Sequence, residues 1–210
     1  MALGKHKIEY EVLEGWQRLP EGWSFVEVAG VACDSKDRVY VFNRGAHPVI
    51  VFDKDGKFLN AWGEGLFKGP HGIFIDRHDN LWLADDKDHT VHKFTPDGRK
   101  LMTLGESGKA ADTGYRIGAS PVLRAAGPFH RVTNVAVLPD GDLYIADGYG
   151  NARVTSFQRT ANCCSRGASR DAGRASSSCP TASAWTARGW CTSPTARTRG
   201  CRCSTRKGSI

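Results

Sequence analysis

Two stretches of this chain repeat one another forty-two positions apart, and that self-similarity limits the fold more than any other property. Val31 returns as Ile73, Asp34 as Asp76, Asp37 as Asp79, and Val39-Tyr40-Val41 as Leu81-Trp82-Leu83. The register holds through Phe52 and Phe94, Asp55-Gly56 and Asp97-Gly98, and Gly63-Glu64 and Gly105-Glu106. A third copy begins at Asn134, where Leu143-Tyr144-Ile145-Ala146-Asp147 answers Leu81-Trp82-Leu83-Ala84-Asp85. A fixed period of this length marks a repeat architecture, in which each unit buries its faces only against its neighbours.

Each copy carries short runs of β-branched and aromatic residues, such as Val39-Tyr40-Val41-Phe42 and Val49-Ile50-Val51-Phe52, punctuated by Asp-Gly pairs. Such runs between turn residues read as hairpin-linked antiparallel strands. No segment of helical length shows an apolar stripe at helical spacing. Four strands in roughly 40–45 residues is the size of a propeller blade. The fold class expected is therefore all-β, a partial β-propeller of four-stranded blades. About three blades span residues 25–158, with innermost strands near residues 31–34, 73–76 and 135–138. Residues 1–24 form an N-terminal segment placed to contribute to a closing blade. Between the second and third copies the offset grows to sixty-two, so residues 107–128 hold about twenty extra positions. An insertion of that length in a compact repeat reads as a functional loop or a mobile excursion, with a loop that borders the site the favoured of the two.

Composition changes abruptly near residue 158. Residues 1–158 hold 19 Lys+Arg and 21 Asp+Glu, a net of −2, while the last fifty-two hold ten and one, a net of +9. Six of the seven Cys also lie in that tail. A basic nucleic-acid arm would carry Lys and interleaved aromatics. A zinc site would carry paired CxxC motifs or His. A disulfide framework needs a secretory context, and Met1-Ala2-Leu3-Gly4-Lys5-His6-Lys7 opens no apolar signal region. A different reading fits the tail better, namely propeller coding sequence translated out of frame. Joining the last base of each codon to the first two of the next forces Val across Trp190-Cys191 and permits Pro-His-Gly-Ile-Cys-Val-Asp from Pro180 to Thr186. The hidden His at Thr181 and hidden Asp at Thr195 lie fourteen apart, as His71 and Asp85 do. Residues 159–210 are accordingly expected to be an out-of-frame, disordered tail. Without it the body is mildly acidic, which argues against nucleic-acid binding. With no signal or membrane-spanning segment seen, the location expected is cytoplasmic, with no membrane partner.

Several side chains could carry chemistry. His71 sits in Pro70-His71-Gly72-Ile73 at the start of an innermost strand, where a strand-end cap is the simpler reading. Arg44 closes the first blade's inner strand in Val41-Phe42-Asn43-Arg44-Gly45, solvated if it faces outward and a carboxylate fork if it faces the channel. Tyr149 stands in the turn Asp147-Gly148-Tyr149-Gly150-Asn151-Ala152-Arg153, where core duty is unexpected. Asp85 and Asp147, at matching strand ends, read as residues that fix the following turn.

Pro70-His71-Gly72-Ile73, Asn134-Val135-Ala136-Val137 and above all Asp147-Gly148-Tyr149-Gly150-Asn151-Ala152-Arg153-Val154 resemble the NHL-repeat propeller of the peptidyl-α-hydroxyglycine α-amidating lyases. The resemblance spans roughly residues 28–157. It implies a six-bladed parent with a catalytic zinc held by three His from different blades, a structural calcium, and cleavage of α-hydroxyglycine peptides to peptide amide and glyoxylate. On that resemblance His71 would be the first zinc ligand, Tyr149 the base on the substrate hydroxyl, and Arg44 the group that binds the terminal carboxylate and shapes the charge around Tyr149. The backbone carbonyls of Val31 and Ile73 would match calcium ligands. The second zinc His corresponds to the hidden codon at Thr181 and the third would lie beyond Ile210, so the chain as given is expected to be inactive. The alternative is a non-enzymatic NHL propeller whose top face binds a protein or peptide partner in place of a peptide or small-molecule substrate.

Overall fold

A computed structural model describes residues 10–159 and 185–187. Strands β1 (Val28–Cys33), β2 (Val39–Asn43), β3 (Val49–Phe52) and β4 (Phe58–Trp62) form one antiparallel sheet in sequence order. A second sheet holds β5 (Pro70–Ile75), β6 (Leu81–Asp85), β7 (Thr90–Phe94) and β8 (Lys100–Leu104). The third holds β9 (Asn134–Val137), β10 (Leu143–Asp147), β11 (Arg153–Arg159) and β12 (Trp185–Ala187). The first strands pack side by side, β1 on β5 and β5 on β9, so the sheets are consecutive blades of a β-propeller. Among the described residues there is no helix, and hence none long and apolar enough to cross a membrane.

The innermost strands stop one residue short of the expected Asp34 and Asp76, because those side chains turn the chain. Asp34 Oδ1 accepts from the Lys36 and Arg38 amides at 2.9 and 3.0 Å, and Asp76 Oδ1 accepts from His78 and Asn80 at the same distances. An Asp that captures the amides two and four residues on competes with the ladder and ends the strand.

Strand alternation then distributes the apolar side chains to both faces of each blade. Tyr40, Phe42, Val49 and Val51 of the first blade meet Ile73, Leu81, Leu83 and Phe94 of the second. The second blade's other face, with Trp82, Ala84 and Val91, meets Val135, Leu143 and Ile145 together with Phe129 and Val132 from the end of the insertion. Full burial of such side chains contributes about 1.5–3 kcal/mol each. On the first blade's far face Trp16, Leu19, Trp23 and Phe25 cover Val41, Ile50 and Phe52. That N-terminal segment is pinned by the Arg18 amide on the Gly56 carbonyl at 2.8 Å and by Trp23 stacked on His47. The third blade differs: Tyr144 is 43% and Val154 66% exposed, against 1% for Trp82, the residue matching Tyr144 one blade earlier. Among the described residues nothing covers this face.

β12 comes from the stretch expected to be an out-of-frame tail and pairs with β11 through Phe157 and Ala187. The rest of that tail, residues 160–184 and 188–210, lies outside the described residues, and with it the expectation of disorder there.

His92, in the middle of β7, is buried between Thr90 Oγ1 at 3.0 Å and Thr103 Oγ1 at 2.9 Å. Burial, and secondarily the Lys100 charge, push its pKa down to about 4, against the opposing pull of Asp85 and Asp88. The folded state thus binds this proton less readily than the unfolded state. The resulting stability is complete above the unfolded pKa of 6.5 and is lost as pH falls toward 4. Urea unfolding of the His92→Gln variant beside the parent chain should lack a pH-dependent loss on the order of 2–3 kcal/mol in that window.

Candidate functional site

Asp85 closes β6 with a fully buried carboxylate that accepts three amides: Lys68 at 2.6 Å, Gly69 at 2.8 Å and Asp88 at 2.9 Å. It fixes the turn that follows, as expected, and also the segment that leads into β5. From that anchored start the β5–β6 ladder slips between Pro70 and Ile73, and the bulge takes His71 out of the regular pairing. Gly72 allows the third blade to approach. A Cβ at that position would stand 2.4 Å from the Thr133 carbonyl oxygen.

The third blade repeats the device. Asp147, fully buried at the end of β10, accepts the His130 amide at 2.8 Å and the Asn151 side-chain amide at 2.5 Å. Asn151 is bound in turn to the Ala126 carbonyl at 2.6 Å and accepts the Ala126 amide at 3.0 Å. Both ends of the Asp147–Asn151 turn are therefore held, and Tyr149 projects from it, 50% exposed.

These anchors bring His71 and Tyr149 together. The imidazole Nε2 lies 3.1 Å from the phenol oxygen, with the rings edge to face at 5.4 Å. With Nε2 unprotonated, the phenol donates to it. Arg44 reaches the same place from the first blade, donating from Nε to the Pro70 carbonyl at 2.9 Å and from Nη1 to Glu27 Oε2 at 2.7 Å. The cation over the face of Tyr149 is a different residue, Arg131, whose guanidinium carbon is 5.2 Å from the ring centre.

Arg131 is held at both its ends. Its guanidinium pairs with the buried Asp86 carboxylate, Nε donating at 3.1 Å, and its amide donates to His89 Nδ1 at 3.1 Å. Its backbone lies in the left-handed region, φ 64°, which a bulky residue adopts only where its surroundings enforce it. Burial works against its charge, but the hydrogen bond and charge of Asp86 outweigh it and raise the pKa. Burial holds His89 below the usual imidazole range, with the His130 and Arg131 charges adding to it and Asp88 opposing, in keeping with a neutral ring that accepts the Arg131 amide. Arg44, Arg131, Asp86, Lys87, Tyr149 and Tyr115 of the insertion line one open cleft of about 370 Å³.

Val31 and Ile73 fall on the adjacent inner strands β1 and β5, paired with Val41 and Leu83 respectively. Their carbonyls belong to neighbouring blades. For zinc, the described residues do not complete a site. Among the described residues no three His, Cys, Asp or Glu side chains gather into a metal-binding group, and His71 faces a phenol.

Arg131, Asp86 and Tyr115 were not singled out from the sequence. Asp86 directly follows the turn-fixing Asp85, and Arg131 occupies the repeat position of Gly69. An Arg where the preceding blade has Gly, just before an inner strand, was the available signal.

No family profile matches the chain. Peptidyl-alpha-hydroxyglycine alpha-amidating lyase 1 of Drosophila melanogaster is 38% identical over 107 residues, 50% of this chain and 17% of that protein. Lyase 2 of the same organism is 31% identical over 172 residues, 70% of this chain and 39% of that protein. NHL repeat-containing protein 3 of Homo sapiens is 32% identical over 154 residues, covering 69% and 41% respectively. The chain resembles these lyases and NHL-repeat proteins and spans less than half the length of each. Virginiamycin B lyase from Staphylococcus aureus is similar in structure, with TM-score 0.44, 14% identity, and coverage of 61% of this chain and 37% of that one.

The close approach at Gly72 is testable without any assay of function. Gly72→Ala should destabilise the chain by about 3 kcal/mol in urea unfolding, the upper end of ordinary overpacking costs, because the obstruction is backbone.

Proposed function

We propose that the intact protein is a lyase that cleaves the C–N bond of a peptidyl-α-hydroxyglycine, giving peptide amide and glyoxylate. The observation that carries this reading is the meeting of His71 and Tyr149 at 3.1 Å, where Tyr149 also lines a cleft with Arg44 and Arg131. It is supported by the similarity to two amidating lyases.

In this reading the substrate carboxylate lies against Arg44, which fixes the α-carbon near the phenol. Tyr149, once deprotonated, takes the proton of the substrate hydroxyl. The freed electron pair forms the carbonyl of glyoxylate as the C–N bond breaks, and the departing amide nitrogen takes up a proton. Arg131 over the ring favours the negative charge that grows on the phenol oxygen. The family's zinc would polarise the hydroxyl as a Lewis acid when bound. Among the described residues the His do not make up its ligand set. Calcium at the carbonyls of Val31 and Ile73 would tie the inner strands of adjacent blades.

Residues after about 159 correspond to propeller coding sequence read out of frame, and the missing His is the codon hidden at Thr181. A second reading, a propeller that binds a protein or peptide without chemistry, is favoured by the incomplete ligand set among the described residues and by the similarity to an NHL repeat-containing protein.

The deciding experiment compares the 210-residue chain with a frame-corrected, full-length version on an α-hydroxyglycine peptide. Glyoxylate release should be zinc-dependent in the restored protein and absent in the chain as given. In the restored protein Tyr149→Phe should lower kcat by roughly 10²–10⁴-fold, the usual worth of a positioned general base. Peptide binding without glyoxylate release by the restored protein would establish the second reading instead.

A further inference from the structure

At the end of the molecule away from His71, the turn after each innermost strand carries a residue in the left-handed region: Asp37 at φ 58°, Asp79 at φ 60° and Gly141 at φ 94°. Asp79 uses this geometry to latch two blades. Its carboxylate crosses to the first blade and accepts from the Ser35 amide at 2.9 Å and the Ser35 hydroxyl at 2.7 Å. In the repeat register the partners of that latch at the next junction are Arg77 in place of Ser35 and Gly141 in place of Asp79. The second latch thus lacks its carboxylate and has a cation where the donor stood.

A cleft of about 330 Å³ opens at that junction, with Arg77 and Gly141 both on its wall. Phe74, Trp82, Val137 and Leu138 supply its apolar lining. Asp76 also borders it, but its oxygens are already occupied. Oδ1 accepts from the His78 and Asn80 amides, and Oδ2 from Trp82 Nε1 at 3.0 Å and Lys93 Nζ at 3.0 Å. The Asp76–Lys93 pair is neutral as a unit. Arg77, exposed and touching His78 Nε2 through Nε at 3.2 Å, remains as the cation of the cleft.

We propose that this cleft binds small carboxylates with an aromatic or apolar body, the ligand's carboxylate filling the place that Asp79 fills at the preceding junction. The apolar walls take the body, and the Arg77 guanidinium takes the anion. The site is separate from the one around Tyr149. No residue lines both clefts, and Arg77 lies beyond the far end of the strand that begins with Pro70 and His71. It stands or falls independently of the lyase reading.

Calorimetry and ligand-observed NMR on the 210-residue chain with 3-phenylpropionate, and with its uncharged amide, test the proposal. The acid should bind at least tenfold more tightly than the amide. Arg77→Gln should abolish that preference while leaving the unfolding transition in place. Gly141→Asp installs the missing carboxylate at a turn position where Asp already stands twice in this chain, and it should compete within the molecule and remove binding of the acid. No binding of the acid at millimolar concentration, equal affinity for acid and amide, a preference that survives Arg77→Gln, or undiminished binding by Gly141→Asp would each overturn it.

Discussion

A buried acceptor at the end of each described blade's second strand, accepting amides from the segment that leads into the innermost strand, fixes the loops at the end of this propeller that carries His71 and Tyr149. Asp85 takes the Lys68 and Gly69 amides, Asp147 takes the His130 amide, and Asn43 holds the corresponding place with the Val26 amide at 3.0 Å. Two fully buried carboxylates are tolerated here because several donors converge on each. A buried amide left without its acceptor costs about 1–3 kcal/mol, so these loops have few alternative paths. His71 follows one such anchor by two residues, and Arg131 follows another by one. The site is built on these fixed points instead of on the strands' own register.

The same repeat logic explains why the two ends of the molecule differ. At the end that carries His71 and Tyr149 the acceptor is kept in every described copy, and the loops it fixes carry different residues: Gly69 in one, Arg131 in the next. At the other end the blade latch itself is altered, from Ser35 and Asp79 to Arg77 and Gly141. Repetition secures the scaffold while each junction is free to specialise, since a blade contacts only its neighbours.

Much of the fold was legible because propeller blades are local objects. Runs such as Val39-Tyr40-Val41-Phe42 bounded by turn residues specify hairpins, and hairpins of one length in a fixed period specify blades. The innermost strands were misjudged by a residue or more, since the side-chain bonds of Asp34 and Asp76 end a strand without altering its apolar pattern. In the site, His71, Arg44 and Tyr149 stood out through short strings. Arg131 did not, because its importance rests on Asp86 forty-five residues away and on a left-handed backbone that Arg does not advertise.

The sequence by itself determined the blade, its period and the apolar faces, because alternation and turn chemistry act over a few residues. It also marked residue 158 as the point where that pattern stops. Only the tertiary structure decided which of these side chains meet. His71 and Tyr149 are seventy-eight residues apart and meet because two inner strands pack against each other at Gly72. Contacts across a blade junction depend on how closely two backbones approach, and that distance is set by packing between blades, which no local pattern encodes.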